Sequence, residues 1–98
     1  MAIQLTTVNV RLNTGIAWWA PTTAQKNHVT STYDDTGKRT EVSAAGESGL
    51  TKTKVVTFAD RATKDVWDAD STVAQMVVER RAYTQTNKIT HVMTEVVI

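Results

Sequence analysis

The residues able to do chemistry are few: two histidines, ten carboxylates and no cysteine in 98 residues. Without cysteine there is no disulfide, no thiol nucleophile and no zinc site of the usual sulfur type. His91 alternates with Ile89 and Met93 in an extended segment and reads as a satisfied sheet histidine, whereas His28 reads as a surface residue. Asp65, Asp68 and Asp70 form a small acidic cluster that lacks the glycine and the distal bidentate glutamate of a calcium loop. Helix breaking and solvation account for it. Gly46-Glu47-Ser48-Gly49 departs from Gly-x-Ser-x-Gly and precedes a strand, so it reads as a turn. No metal site and no cofactor are expected, and no titratable set converges on one place.

The aromatic residues carry more information. Trp18 and Trp19 stand beside Pro21, the only proline. Two adjacent tryptophans seldom face the same interior, so the pair reads either as a ligand or partner surface or as a staple for the entry of the next helix. Trp67 falls about 120° around its helix from the centre of that helix's apolar stripe, close to Ala74 and Val78. Packing, a partner subunit and a pocket wall all suit it. With Asn9 on the first strand, Trp18, Trp19 and Trp67 make the candidate binding set.

The elements that must position these residues are clearest between Leu50 and Ile98. From Asp60 onward, Ala62, Val66, Ala69, Val73, Met76 and Val77 recur at spacings of three and four, which predicts one core-facing stripe. Asp60 suits the N-cap, and Asn87 suits a left-handed stop. The run Asp68 to Thr72 contains short polar side chains that compete for backbone hydrogen bonds and predicts a break, with Thr72 and Gln75 able to recap the second segment. Lys52 to Phe58 and Ile89 to Ile98 read as flanking strands, joined through the helix in a right-handed crossover. In the last strand, Ile89, Met93 and Val97 point one way and Val92, Val96 and Ile98 the other. Apolar residues on both sides imply burial of both faces. The helix covers one, so a second copy is expected on the other.

Earlier in the chain, Ile3 to Leu12 reads as a strand that is apolar on both faces or bulged near Thr6 and Thr7. Asn13-Thr14-Gly15 is a turn signal. Thr22 and Gln25 form a possible capping box for a short helix over 22–33, although Val29-Thr30-Ser31-Thr32 would suit a strand equally. Asp34 to Gly37 is a turn, and Lys38 to Ala45 is a polar strand with the character of a sheet edge, paired with Lys52 to Phe58 as a hairpin. The order strand, helix, strand, strand, helix, strand is the ferredoxin-like α+β arrangement, βαββαβ, with an antiparallel sheet packed on helices.

A net charge of +1 with scattered basic residues implies no strong field for nucleic acid or for an anionic membrane. The length suits one domain over residues 1–98. No signal-peptide pattern opens the chain and no apolar run approaches a membrane span, so a soluble, non-exported protein is expected.

At this length the element order resembles the dimeric α+β barrel superfamily, in which two ferredoxin-like subunits pack sheet to sheet. Arg11-Leu12-Asn13-Thr14-Gly15 leading to Trp19, Asp35-Thr36-Gly37-Lys38, and Gly49-Leu50-Thr51-Lys52-Thr53 before Val55 and Val56 resemble segments of small uncharacterised proteins from marine bacteriophages and ocean metagenomes. The resemblance implies a homodimer in a viral setting and assigns no activity. The superfamily includes cofactor-free monooxygenases and haem-degrading enzymes whose site combines an asparagine of the first strand, a tryptophan and a histidine of the second helix. Asn9 and Trp67 fit the first two. No histidine lies between Asp60 and Asn87, so the expected axial ligand is missing and only His28 or His91, from another direction, is left to ligate. Two functional expectations follow. One is a non-enzymatic interaction or structural accessory protein that self-associates through its sheet, with a further protein partner possible. The other is a monooxygenase-like or small-ligand-binding protein with a cavity between sheet and helices.

Overall fold

The structure, a computed structural model, describes residues 1–98. It is an α+β fold of strands β1 (Ile3–Val10), β2 (Arg39–Ala45), β3 (Thr51–Phe58) and β4 (Thr90–Val97) with helices α1 (Thr23–Val29), α2 (Arg61–Ala69) and α3 (Ser71–Thr86). The strands form one antiparallel sheet in the order β2-β3-β1-β4. Connections β1 to β2 and β3 to β4 each cross over a strand lying between, which is consistent with the ferredoxin-like arrangement.

The registers are unbroken, so β1 carries no bulge and its apolar residues divide between the faces. Ile3 and Leu5 point to the helices and meet Phe58 and Val56 of β3, while Val8 and Val10 point outward. Ile3, Val56 and Phe58 form the core, with Leu5 and Trp67 against it. At the other end of the same helix-facing surface stand Thr7, Asn9, Lys52 and Lys54.

Helix α3 is divided in the same way. Its first half holds Val73, Met76 and Val77; its second half runs Glu79-Arg80-Arg81. The side chain that closes the apolar half of the sheet is Trp67 of α2, which packs on the Ile3, Val56 and Phe58 cluster, where burial against carbon stabilises by ~25 cal/mol per Å². The polar end of α3 would have to desolvate charges to meet the Lys52 and Lys54 end of the sheet, and the space between them stays open.

Some local expectations hold and others need correction. Thr22 caps α1 through a full capping box with Gln25, and the short helix expected over 22–33 forms, its β-branched stretch after Val29 continuing as a π-helical turn, Thr30–Asp34. Asp60 caps α2 by accepting from the Thr63 amide. The expected break falls at Asp70, and Asp70 itself caps α3, accepting from the amides of Thr72 and Val73; Thr72 with Gln75 does not. That extended residue resets the helical phase. Ala62, Val66 and Ala69 are therefore exposed, Val73 is buried, and Trp67 is the residue of α2 that faces the core. At the far end, Lys88 and not Asn87 adopts the left-handed conformation, with φ 55°. The Asn87 amide group donates to the Tyr83 carbonyl, while the Lys88 and Ile89 amides reach back to Gln85 and Thr84, closing the helix in a Schellman motif over buried Ile89.

The two sheet faces differ in a way opposite to the usual one. The helix-facing side carries Arg39, Glu41, Lys52, Lys54, His91 and Glu95. The outer side carries Gln4, Thr6, Val8 and Val10 of β1, Thr40, Val42 and Ala44 of β2, Thr51, Thr53, Val55 and Thr57 of β3, and Thr90, Val92, Thr94 and Val96 of β4. None of these fifteen is charged, whereas 21% of the chain is, which would place about three charges there. Within one copy nothing covers this face, and every residue of β4 is exposed.

No helix is long and apolar enough to cross a membrane.

Candidate functional site: a basic cleft between sheet and helices

A cleft of about 1160 Å³ runs between the sheet and α3, lined by apolar residues of both, Leu5, Val56, Val73 and Val77 among them, as well as by their polar ones. Asn9, Trp18, Trp19 and Trp67 all line it. Thr7, Asn9 and Lys52 form its floor, Met76, Val77 and Arg80 its roof, and Phe58 with Trp67 its inner end. The Asn9 side chain donates to the Lys52 carbonyl across the strand pair at 3.3 Å, which fixes its orientation.

The mouth is built by the loop between β1 and α1. Arg11 donates through Nε to the Gly49 carbonyl at 2.9 Å and through a terminal nitrogen to the Ile16 carbonyl at 2.7 Å, tying the loop to the β2–β3 turn. Gly49 there has φ +74°, a conformation that favours glycine. The Arg11 guanidinium also stacks on Trp18, 4.5 Å from the ring centroid. From the other side, the Tyr83 hydroxyl of α3 donates to the Ala17 carbonyl at 2.5 Å. Trp18 and Trp19 are thus held across the opening by the sheet and by α3 together.

Trp67 plays a different part. Its ring lies 5.0 Å from that of Tyr33 and 5.3 Å from that of Phe58, with the Arg39 guanidinium 4.9 Å above it. It is a core residue whose edge reaches the cleft.

Charge in the cleft is strongly one-sided. Seven basic side chains and three acidic ones line it, an excess of four, while the rest of the chain holds four basic and seven acidic residues. The three carboxylates already have partners: Asp34 pairs with Arg39, Glu41 with Arg39 and Lys54, and Asp68 with Lys64. Burial pushes the Lys54 ammonium below its ordinary range, more than Glu41 raises it, and the charges of Arg39 and Arg80 push the same way. Burial would raise the Glu41 carboxyl, but the neighbouring Lys54 and Arg39 charges outweigh it and leave it low. Lys26, Lys52, Arg80 and Arg81 form no ion pair. Arg80 is held below its ordinary range by burial and by the charge of Arg81.

Both histidines depart from their expected places. His91 is exposed at the cleft rim. His28 is half-buried, with Nε2 2.7 Å from Asp70 Oδ2. The same oxygen accepts from the Tyr33 hydroxyl at 2.6 Å. Burial works to raise the Asp70 carboxyl, but the hydrogen bonds from Tyr33, His28 and the Val73 amide prevail and hold it at about 2. Burial, together with the adjacent carboxylate, pushes the Tyr33 phenol up to about 12. A carboxylate that stays ionised accepts only, so His28 Nε2 carries the proton of that bond. Asp70 is therefore not a free member of an acidic cluster but a fixed junction, and nowhere do three or more histidine, aspartate or glutamate side chains group so as to hold a metal ion. The sequence signal was available: an Asp directly before a helix start is a cap, and a cap needs burial of its second oxygen to be more.

The haem-degrading arrangement is not reproduced: no histidine lies on α2 or α3 and His28 is bonded to Asp70, so the histidine that shares the cleft with Asn9 and Trp67 is His91 of β4, the cross-strand neighbour of Asn9. Against known proteins, no family model, no curated sequence and no solved structure matches the chain.

Proposed function

We propose that this chain is a ferredoxin-like subunit that works as a homodimer, a non-enzymatic interaction or structural accessory protein whose outer sheet face is covered by a second copy. The observation that carries the proposal is the inverted polarity of the sheet: six charged or imidazole groups face the helices and none faces outward. An uncharged face can meet its own copy across a twofold axis without opposing like charges. Four strands of about eight residues span roughly 500 Å² in plan, more once side-chain relief is counted, which approaches the ~800 Å² per partner of a stable interface. Exposed Val8, Val42, Val92 and Val96 supply its apolar part, and the threonines between them supply cross-strand hydroxyl pairs. The phage setting rests on the resemblance of the segments around Gly15, Gly37 and Gly49.

The test is a pair of charges at cross-strand neighbours on that face. Val8→Lys with Val92→Lys, which oppose each other in register, should convert a dimer to a folded monomer. A dimer that tolerates both substitutions overturns the assignment of the interface.

The cleft favours a second reading, a small-ligand-binding or cofactor-free monooxygenase-like protein. Its volume exceeds the ~300 Å³ that a ligand pocket needs, and Asn9, Thr7 and the basic groups converge on it beside three tryptophans. The two readings are compatible, since the outer face and the cleft lie on opposite sides of the sheet.

A further inference from the structure

We propose that the cleft binds a small organic anion, a carboxylate or phosphate carried on a planar apolar body, with Arg80 and Lys52 holding the anionic head. The inference rests on the second reading above, that the cleft takes a small ligand, and adds its chemical class.

Three observations carry it. First, the chain is almost neutral as a whole, yet the cleft holds an excess of four positive charges and the remaining surface an excess of three negative ones. Second, the cleft carboxylates are consumed by Arg39, Lys54 and Lys64, leaving Arg80, Arg81, Lys52 and Lys26 without an ion pair. Of these Lys52 and Arg80 are half-buried, and half-buried like charges are costly when nothing neutralises them, a cost that a bound anion removes. Third, the same cleft carries apolar and aromatic side chains beside those cations: Trp18 and Trp19 at the mouth, Met76, Val77 and Met93 within. A charged head alone would leave those walls wet, and an apolar body alone would leave the cations unpaired.

A nucleic acid fits less well. Its backbone would have to leave the cleft across a surface that is net acidic, and the Trp18–Trp19 loop, tied to Gly49 and to Tyr83, closes one end. A compact ligand suffers neither repulsion nor obstruction.

Matched probes test the proposal on the intact chain: 2-naphthoate, 2-naphthyl phosphate and uncharged 2-naphthamide, titrated into ¹⁵N-labelled protein. Either anion should bind at least about tenfold more tightly than the amide, and shift the amides of Thr7, Asn9 and Lys52. The tighter of the two anions identifies the head group. Arg80→Gln and Lys52→Gln should each weaken the anion about tenfold and leave the amide unchanged, while Lys38→Gln, outside the cleft, changes neither. Equal binding of amide and anion overturns the anion assignment and leaves the ligand reading standing. No shift with any of the three overturns both. An oligothymidylate that binds more tightly than either anion, with steep salt dependence, overturns the proposal in favour of nucleic acid.

Discussion

The Tyr33 hydroxyl donates to Asp70 Oδ2 at 2.6 Å, joining the π-helical turn after α1 to the junction between α2 and α3. The other oxygen of the same carboxylate caps α3, and His28 shares the first. One side chain therefore sets the angle between three helical segments, and with it the height of the cleft roof.

Removing that carboxylate should loosen all three segments at once. Asp70→Ala loses a cap and two side-chain hydrogen bonds, and is expected to destabilise by about 2–4 kcal/mol in urea unfolding. Tyr33→Phe removes one bond while keeping the packing on Trp67, and should cost about 1–2 kcal/mol. Equal effects of the two would show that Asp70 acts only through Tyr33.

The same bonds fix a pH dependence. Asp70 is held at about 2 in the folded chain, below its ordinary 3.8, so its contribution is complete above the ordinary value and is lost as pH falls from about 4 towards 2. Tyr33 is raised to about 12, so the contribution of its protonated form is complete below its ordinary 10 and is lost as pH climbs through 12. Thermal midpoints measured across both windows should fall at each end, and Asp70→Asn should flatten the acid limb. An acid limb identical in Asp70→Asn assigns it to other carboxylates.

Arg39 is nearly buried, with 6% exposure, between Asp34, Glu41 and the Trp67 ring, and its Nε has no partner. Arg39→Ala should destabilise by about 3 kcal/mol through lost packing as much as lost charge. Arg39→Lys should recover little, because an ammonium cannot span both carboxylates and stack flat on the indole. Denaturant midpoints and Trp67 emission would both report it.

The Tyr83 hydroxyl is the only side-chain tie from α3 to the Trp18–Trp19 loop shown by the hydrogen bonds. Tyr83→Phe should cost about 1 kcal/mol of stability and raise the mobility of Ala17 and Trp18 on the ps–ns scale, read by ¹⁵N relaxation. An unchanged loop would mean that Arg11 alone holds it.

Much of this arrangement is legible in the sequence, and what is not has definite causes. Strand positions follow from β-branched runs bounded by Gly37, Gly46 and Gly49, and the break near Asp70 from short polar side chains in succession. The inward face of α2 does not follow, because one extended residue at Asp70 shifts the phase by an amount no periodicity count contains; Ala62 and Val66 are exposed for that reason and Trp67 is not. Asn87 is the better left-handed former, yet its side chain is used on the Tyr83 carbonyl and the turn passes to Lys88. Asn9, Trp18, Trp19 and Trp67 could be singled out one at a time. Their sharing of one cleft with Arg80 and Lys52 depends on strand order and crossover, which place residues far apart in sequence across from each other. The scattered basic residues read as dispersed along the chain and prove concentrated in space.

The central claim is that a second copy covers the uncharged outer face, and the molar mass in solution tests it most directly. Light scattering over a dilution series should return twice the 10.8 kDa of one chain, falling towards one chain only at the lowest concentrations. A mass of one chain at every concentration would contradict it, and the threonines and valines of that face would then be a wet sheet surface or the seat of a different protein.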